Sequence, residues 1–182
     1  MRRGAVRRIK SMLGAPRRAA RVHGYGIHSP WAFDFVRRVI SQPCRYYCYP
    51  VLNSAAAGSH VSARLVRLIF RVALFCRARE YKLCVDHASS RAIDRAILEA
   101  VPDARPSETP AMMVIDREGC AGEALGCLRR GGMVILLGSS RLDATMQALW
   151  SGMERGMMFC GSDNAIVTGL RHLPHQRFNV WI

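Results

Sequence analysis

Residues Met112–Leu137 read MMVIDREGCAGEALGCLRRGGMVILL, and this stretch decides the fold. Two short runs, Met112–Asp116 (MMVID) and Met133–Leu137 (MVILL), are apolar up to their ends. They are too short for buried helices and read as strands covered on both faces. Between them, Cys120–Arg130 reads as a helix stopped by Gly131-Gly132. A strand, a helix and a second strand form a crossover unit, so the two strands run parallel. The pattern continues on either side. Upstream, Lys82–Asp86 (KLCVD) is a third apolar run ending in an acid. Ser90–Val101 follows as a helix with Ile93, Ala96, Ile97 and Ala100 on one face. Pro102–Pro110 holds three prolines and reads as a loop. Downstream, Leu142–Arg155 reads as a helix broken by Gly156. Met157–Cys160 and Ala165–Leu170 flank a turn at Gly161–Asn164, a hairpin signal, and Phe178–Ile182 offers a final strand. The expected class is α/β: a mostly parallel sheet with helices on its faces and an antiparallel C-terminal hairpin at its edge.

The chain ahead of Glu80 differs in character. The 182 residues carry a formal charge of +14, but residues 1–82 hold 17 Lys/Arg against Asp34 and Glu80, whereas residues 83–182 hold ten against eleven acids. A basic front is joined to a neutral domain. Residues 1–22 form a basic tail with eight cations and no acid, open to three readings: a solvated flexible segment, a contact for nucleic acid or anionic lipid, or a mitochondrial-type presequence. No secretory apolar segment is read there. Residues 23–79 form a helical extension. Within it, His23–Ile40 (HGYGIHSPWAFDFVRRVI) predicts a glycine-containing lead-in, Ser29 as N-cap, Pro30 at the first helical position, and an apolar face of Phe33, Val36 and Ile40 with Trp31 and Phe35 beside it. Ala63–Ala78 predicts an amphipathic helix with an arginine stripe at Arg64, Arg67 and Arg71, suited to packing on a core or to lying on a membrane surface and too charged to span one. Seven cysteines lie at 44, 48, 76, 84, 120, 127 and 160 with no C-x-x-C pair. They read as reduced thiols of a cytoplasmic protein rather than as a zinc site.

Ligands of sheets such as this bind outside the carboxyl ends of the strands. Asp86, Asp116 and the residues after Leu137 stand there, and either acid could instead cap the helix that follows it. The order of elements resembles a class I S-adenosylmethionine-dependent methyltransferase of Rossmann-like fold. More narrowly, His23-Gly24-Tyr25-Gly26-Ile27-His28-Ser29-Pro30-Trp31-Ala32-Phe33-Asp34, followed by the aromatic cluster Arg45-Tyr46-Tyr47-Cys48-Tyr49, is similar to the N-terminal extension of a group of small bacterial O-methyltransferase-like proteins. The resemblance runs on to Asn164-Ala165-Ile166-Val167 and Phe178-Asn179-Val180-Trp181-Ile182. It implies S-adenosylmethionine as cofactor, held around Asp86, Ala88, Ser89 and Asp116, with His87 or His28 as base and a small molecule as substrate. A homodimer fits the extension.

The departures from the family are specific. The family's first strand ends in Glu-x-Gly-x-x-x-Gly, whereas this chain has Asp86-His87-Ala88-Ser89-Ser90-Arg91, with no glycine. For the acid that binds the ribose on the second strand, only Ala104–Thr109 with Glu108 is available, and the helix–strand–helix expected next is missing. Gly138-Ser139 stands where the family often has an Asp-Asp pair, so no metal site is expected. Residues 80–182 therefore read as a truncated methyltransferase domain with an impaired or lost cofactor site. The competing reading is a non-catalytic protein whose Arg-rich N-terminal region, interleaved with Tyr46, Tyr47 and Tyr49, contacts RNA, a protein partner or a membrane surface.

Overall fold

The computed structural model describes residues 29–182. The basic tail of residues 1–22 and the lead-in through His28, with the candidate base His28 itself, lie outside the described residues. The strands are β1 (Glu80–Cys84), β2 (Arg105–Pro106), β3 (Met112–Ile115), β4 (Met133–Leu137), β5 (Met157–Cys160), β6 (Asn164–Thr168) and β7 (Gln176–Asn179). The helices are α1 (Pro30–Phe35), prolonged by a π-helical segment over Val36–Ile40, then α2 (Tyr49–Ala57), α3 (Ala63–Cys76), α4 (His87–Ala100), α5 (Ala121–Arg129) and α6 (Asp143–Gly152). Together they form an α/β fold with a mostly parallel sheet, compatible with a Rossmann-like arrangement.

The sheet has the order β2-β1-β3-β4-β6-β5-β7. Strands β1 to β4 are mutually parallel, β6 is antiparallel to both β4 and β5, and β7 is parallel to β5. The expected hairpin is present but does not form the edge. Ala165, Ile166 and Val167 are fully buried, so β6 needs a neighbour on each side and a helix layer above and below. The edge falls to β7, where only Phe178 is buried, a pattern an edge strand tolerates. Pro106 lies in the two-residue β2 at the opposite edge, where its missing N–H costs nothing.

Both faces of the sheet are covered. Met112, Val114, Ile135, Phe159 and Ile166 point into one core with α1, α3 and α4. Met113, Ile115, Val134, Leu136, Met158 and Val167 point into a second core with α5 and α6. The period-two alternation assigns each residue to its face. The extension and the sheet thus share one continuous core: Trp31 stacks on Phe35 with ring centroids 5.2 Å apart, and Phe35 lies 4.9 Å from Phe159 of β5.

Local details correct several expectations. Ser29 caps α1, its Oγ accepting from Ala32 N at 3.3 Å, with Pro30 in the first turn, as the motif predicts. The buried face of this helix is Ala32, Phe35, Val36, Val39 and Ile40, whereas Phe33 is exposed with Arg37 over its ring. Asp34, Arg37 and Arg38 share one face, and Phe33 flanks it, so the buried stripe is centred on the opposite side. The arginine stripe of α3 also divides. Arg64 is exposed and Arg67 lies over Tyr49, but Arg71 is buried. Its Nε donates to Val39 O at 2.5 Å, its Nη1 to Tyr49 Oη at 2.9 Å and its Nη2 to Ile40 O at 3.4 Å. One guanidinium thereby satisfies carbonyls at the end of the first helix. Tyr46 and Tyr49 pack on Phe70, leaving Tyr47 as the exposed ring of that cluster. None of the described helices is long and apolar enough to cross a membrane.

Candidate functional site

The sheet places Asp86 and Asp116 side by side, because β1 and β3 are parallel neighbours with Cys84 opposite Ile115. Asp116 Oδ2 accepts from Asp86 N at 2.9 Å, and its Oδ1 accepts from Arg117 Nε at 3.2 Å. Asp116 does not cap α5, whose N-cap is Cys120. Asp86 does cap. Helix α4 begins at His87, three residues earlier than the apolar spacing predicts, because the Asp86 carboxylate accepts from Ser89 N at 2.9 Å and from Ser89 Oγ at 2.7 Å. The Ser89 hydroxyl and N–H, helped by the His60 charge, hold the Asp86 carboxyl down at about 2. At neutral pH it is an ionised acceptor and cannot serve as a general acid.

A shallow cleft of about 480 Å³ opens above these carboxylates, lined by His60, Asp86, Asp116, Arg117 and Arg141. His60 comes from the loop between α2 and α3, and its Nδ1 stands 3.5 Å from Asp86 Oδ1. The extension therefore reaches the strand ends and supplies the imidazole of the cleft. Arg141 follows β4 in a turn whose geometry depends on Gly138. That residue has φ +65°, and a Cβ there would sit 2.7 Å from Arg141 Nη2.

Of the residues the sequence singles out, Asp86 and Asp116 line the cleft. Ser89 is buried behind it and engaged with Asp86. His87 and Ala88 are exposed in the first turn of α4, and His87 Nε2 lies 3.5 Å from Arg91 Nη2, away from the cleft lining. Glu108 is held by Lys82 Nζ at 2.6 Å, and the same ammonium reaches Glu123 at 2.8 Å. His60, Arg117 and Arg141 escape the sequence reading. Only His60 carries a signal, in the break Gly58-Ser59-His60 between two helical runs. Among the described residues no group of His, Cys, Asp or Glu is placed to hold a metal ion.

Comparisons with protein-family models, with curated proteins and with solved structures find no match. The residues of the cleft offer an imidazole, two carboxylates already engaged by backbone and side-chain donors, and two guanidiniums. That set can hold a polar or anionic group at the sheet end. The β1–α4 junction holds no glycine through which the backbone could approach a ligand.

Proposed function

We propose that this chain is a methyltransferase-like protein of O-methyltransferase descent whose S-adenosylmethionine site is impaired or lost, and that it acts by binding. The observation that carries this reading is the junction of β1 and α4. Asp86 follows β1 and is already the N-cap of α4, so only Val85 and Asp86 remain between strand and helix, too little for a cofactor-cradling turn. Its carboxylate oxygens accept from Ser89, and Glu108, the stand-in for the ribose-binding acid, is committed to Lys82. The acids the family would offer the cofactor already hold partners within the protein. The residues present do not fit S-adenosylmethionine as the family binds it.

The test is thermal unfolding with S-adenosylmethionine or S-adenosylhomocysteine at millimolar concentration. A ligand at 100 times its dissociation constant adds about 2.7 kcal/mol, which for a chain of this size raises Tm by roughly 5–10 °C. No shift with either compound is expected. A rise of that size with both would overturn the proposal and restore an enzymatic reading in which His60, paired with Asp86, becomes the base to substitute first.

For a binding role, the Arg-rich N-terminal region is the surface of choice, with RNA as the partner its charge fits best. Seventeen cations against two acids in residues 1–82 favour a polyanion, and Tyr47 is 90% exposed beside Arg45. Retention on single-stranded RNA is expected to fall steeply with salt, with log K linear in log salt concentration. Retention that is absent, or insensitive to salt, would remove RNA as the partner.

A further inference from the structure

We propose that the cavity where α3 meets the C-terminal strands is a binding site for a small monocarboxylate with a short apolar tail. This holds whether or not the strand-end cleft takes S-adenosylmethionine. The cavity has a volume of about 210 Å³, and Ile40, Leu65 and Leu68 line it together with Arg64, Arg71 and Asn164. At about 30 Å³ per water molecule it has room for roughly seven waters, or a ligand the size of a six-carbon acid.

Arg71 is the reason for the carboxylate. Its side chain belongs to a residue only 9% exposed, and among the described residues no Asp or Glu lies within ion-pair distance of it. Its partners are two carbonyls and a phenol, all neutral. A guanidinium carries five N–H donors, and three are accounted for. A buried positive charge without a counter-charge is costly, and a planar carboxylate is the anion its fork matches. Arg64 adds a second cation at the rim, and no acidic side chain lines the cavity. Asn164 accepts from Gly138 N through its Oδ1 at 3.4 Å, which leaves its NH2 group as a further donor. The leucine and isoleucine wall supplies the apolar half of the recognition.

The experiment is calorimetric titration of the full chain with hexanoate, with hexanol and inorganic phosphate as controls, alongside NMR observation of the Arg71 Nε–H signal. Saturable binding of hexanoate is expected, with a shift of the Arg71 signal that hexanol and phosphate do not produce. Arg64→Ala, at an exposed position, is expected to weaken hexanoate binding at least tenfold, and Leu65→Trp, which fills the cavity, to abolish it. Both variants should keep the melting behaviour of the parent chain. Arg71→Met risks loosening the first helix, so the rim and cavity-filling variants carry the test. The proposal fails if hexanol or phosphate binds as well as hexanoate. It fails equally if hexanoate does not bind at millimolar concentration, or if neither variant changes the affinity.

Discussion

Asp86 shows how one side chain can be withdrawn from a role its position suggests. It follows a strand at the carboxyl edge of the sheet, yet its oxygens serve Ser89 and its backbone N–H serves Asp116. This has a consequence for acid stability. The carboxyl is depressed from its ordinary 3.8 to about 2. A depressed acid stabilises the fold above its unfolded value and loses that contribution as pH falls toward the folded value. Between pH 4 and pH 2 the parent chain should therefore lose Tm faster than Asp86→Asn, which keeps the capping oxygen without the charge. Parallel melting curves for the two proteins across that interval would contradict the assignment. Gly169 is a second position where a single atom matters. A Cβ there would stand 1.8 Å from Leu128 O, so the loop after β6 could not close on α5. Gly169→Ala is expected to cost about 1–3 kcal/mol by overpacking, measurable by chemical denaturation.

Among the elements, the first helix and its π-helical continuation depend most on their neighbours. Alone, eleven residues with no acid in the first turn would not hold a helix in water. They are held by aromatic packing at one end and by Arg71 at the other. Phe35 is fully buried and touches Trp31, Phe75 and Phe159. Phe35→Ala should cost about 3–5 kcal/mol and should loosen α1 before the sheet, seen as early loss of amide protection over residues 32–40. Protection lost uniformly would show that the helix and the sheet open together. The thiols follow the same packing logic: burial pushes Cys76 up to about 12 and Cys127 up to about 11, so both should resist alkylation in the folded protein while the exposed Cys44 reacts.

For the molecule as a whole, the extension is the covering layer of one sheet face. Val36, Leu52, Ile69 and Val72 belong to the same core as Met112, Ile135 and Phe159. A fragment of residues 80–182 would bare that face to water, an apolar area that soluble proteins seldom expose. The fragment is expected to lack a cooperative melting transition and dispersed amide signals. A sharply melting fragment would show that the second core, with α5 and α6, suffices alone. The extension also brings His60 to the strand ends, so removing it would dismantle the cleft together with the core.

Much of this architecture was legible in local pattern. Short, continuous apolar runs such as MMVI and MVILL, closed by glycine or turn residues, read as strands buried on both faces, and β4 and β5 match their expected bounds. Ser29 and Pro30 announce a helix start through backbone chemistry that needs no tertiary partner. Asp86 and Asp116 were placed at the cleft because strand ends in parallel sheets converge there. The remainder depends on contacts between residues far apart in the chain. Whether Asp86 serves a ligand or caps α4 is a choice between two uses of the same oxygens, made by Ser89. Arg71 reads as one of three equivalent arginines until Val39, Ile40 and Tyr49 close around it. His60 is marked in sequence only by the break at Gly58-Ser59, which does not say what it faces, and β5 lies inside the sheet only because β7 returns to cover its edge. Helix and strand preferences are set by backbone and side-chain shape over a few residues, whereas burial, charge pairing and the membership of a cleft are set by what the folded chain brings alongside.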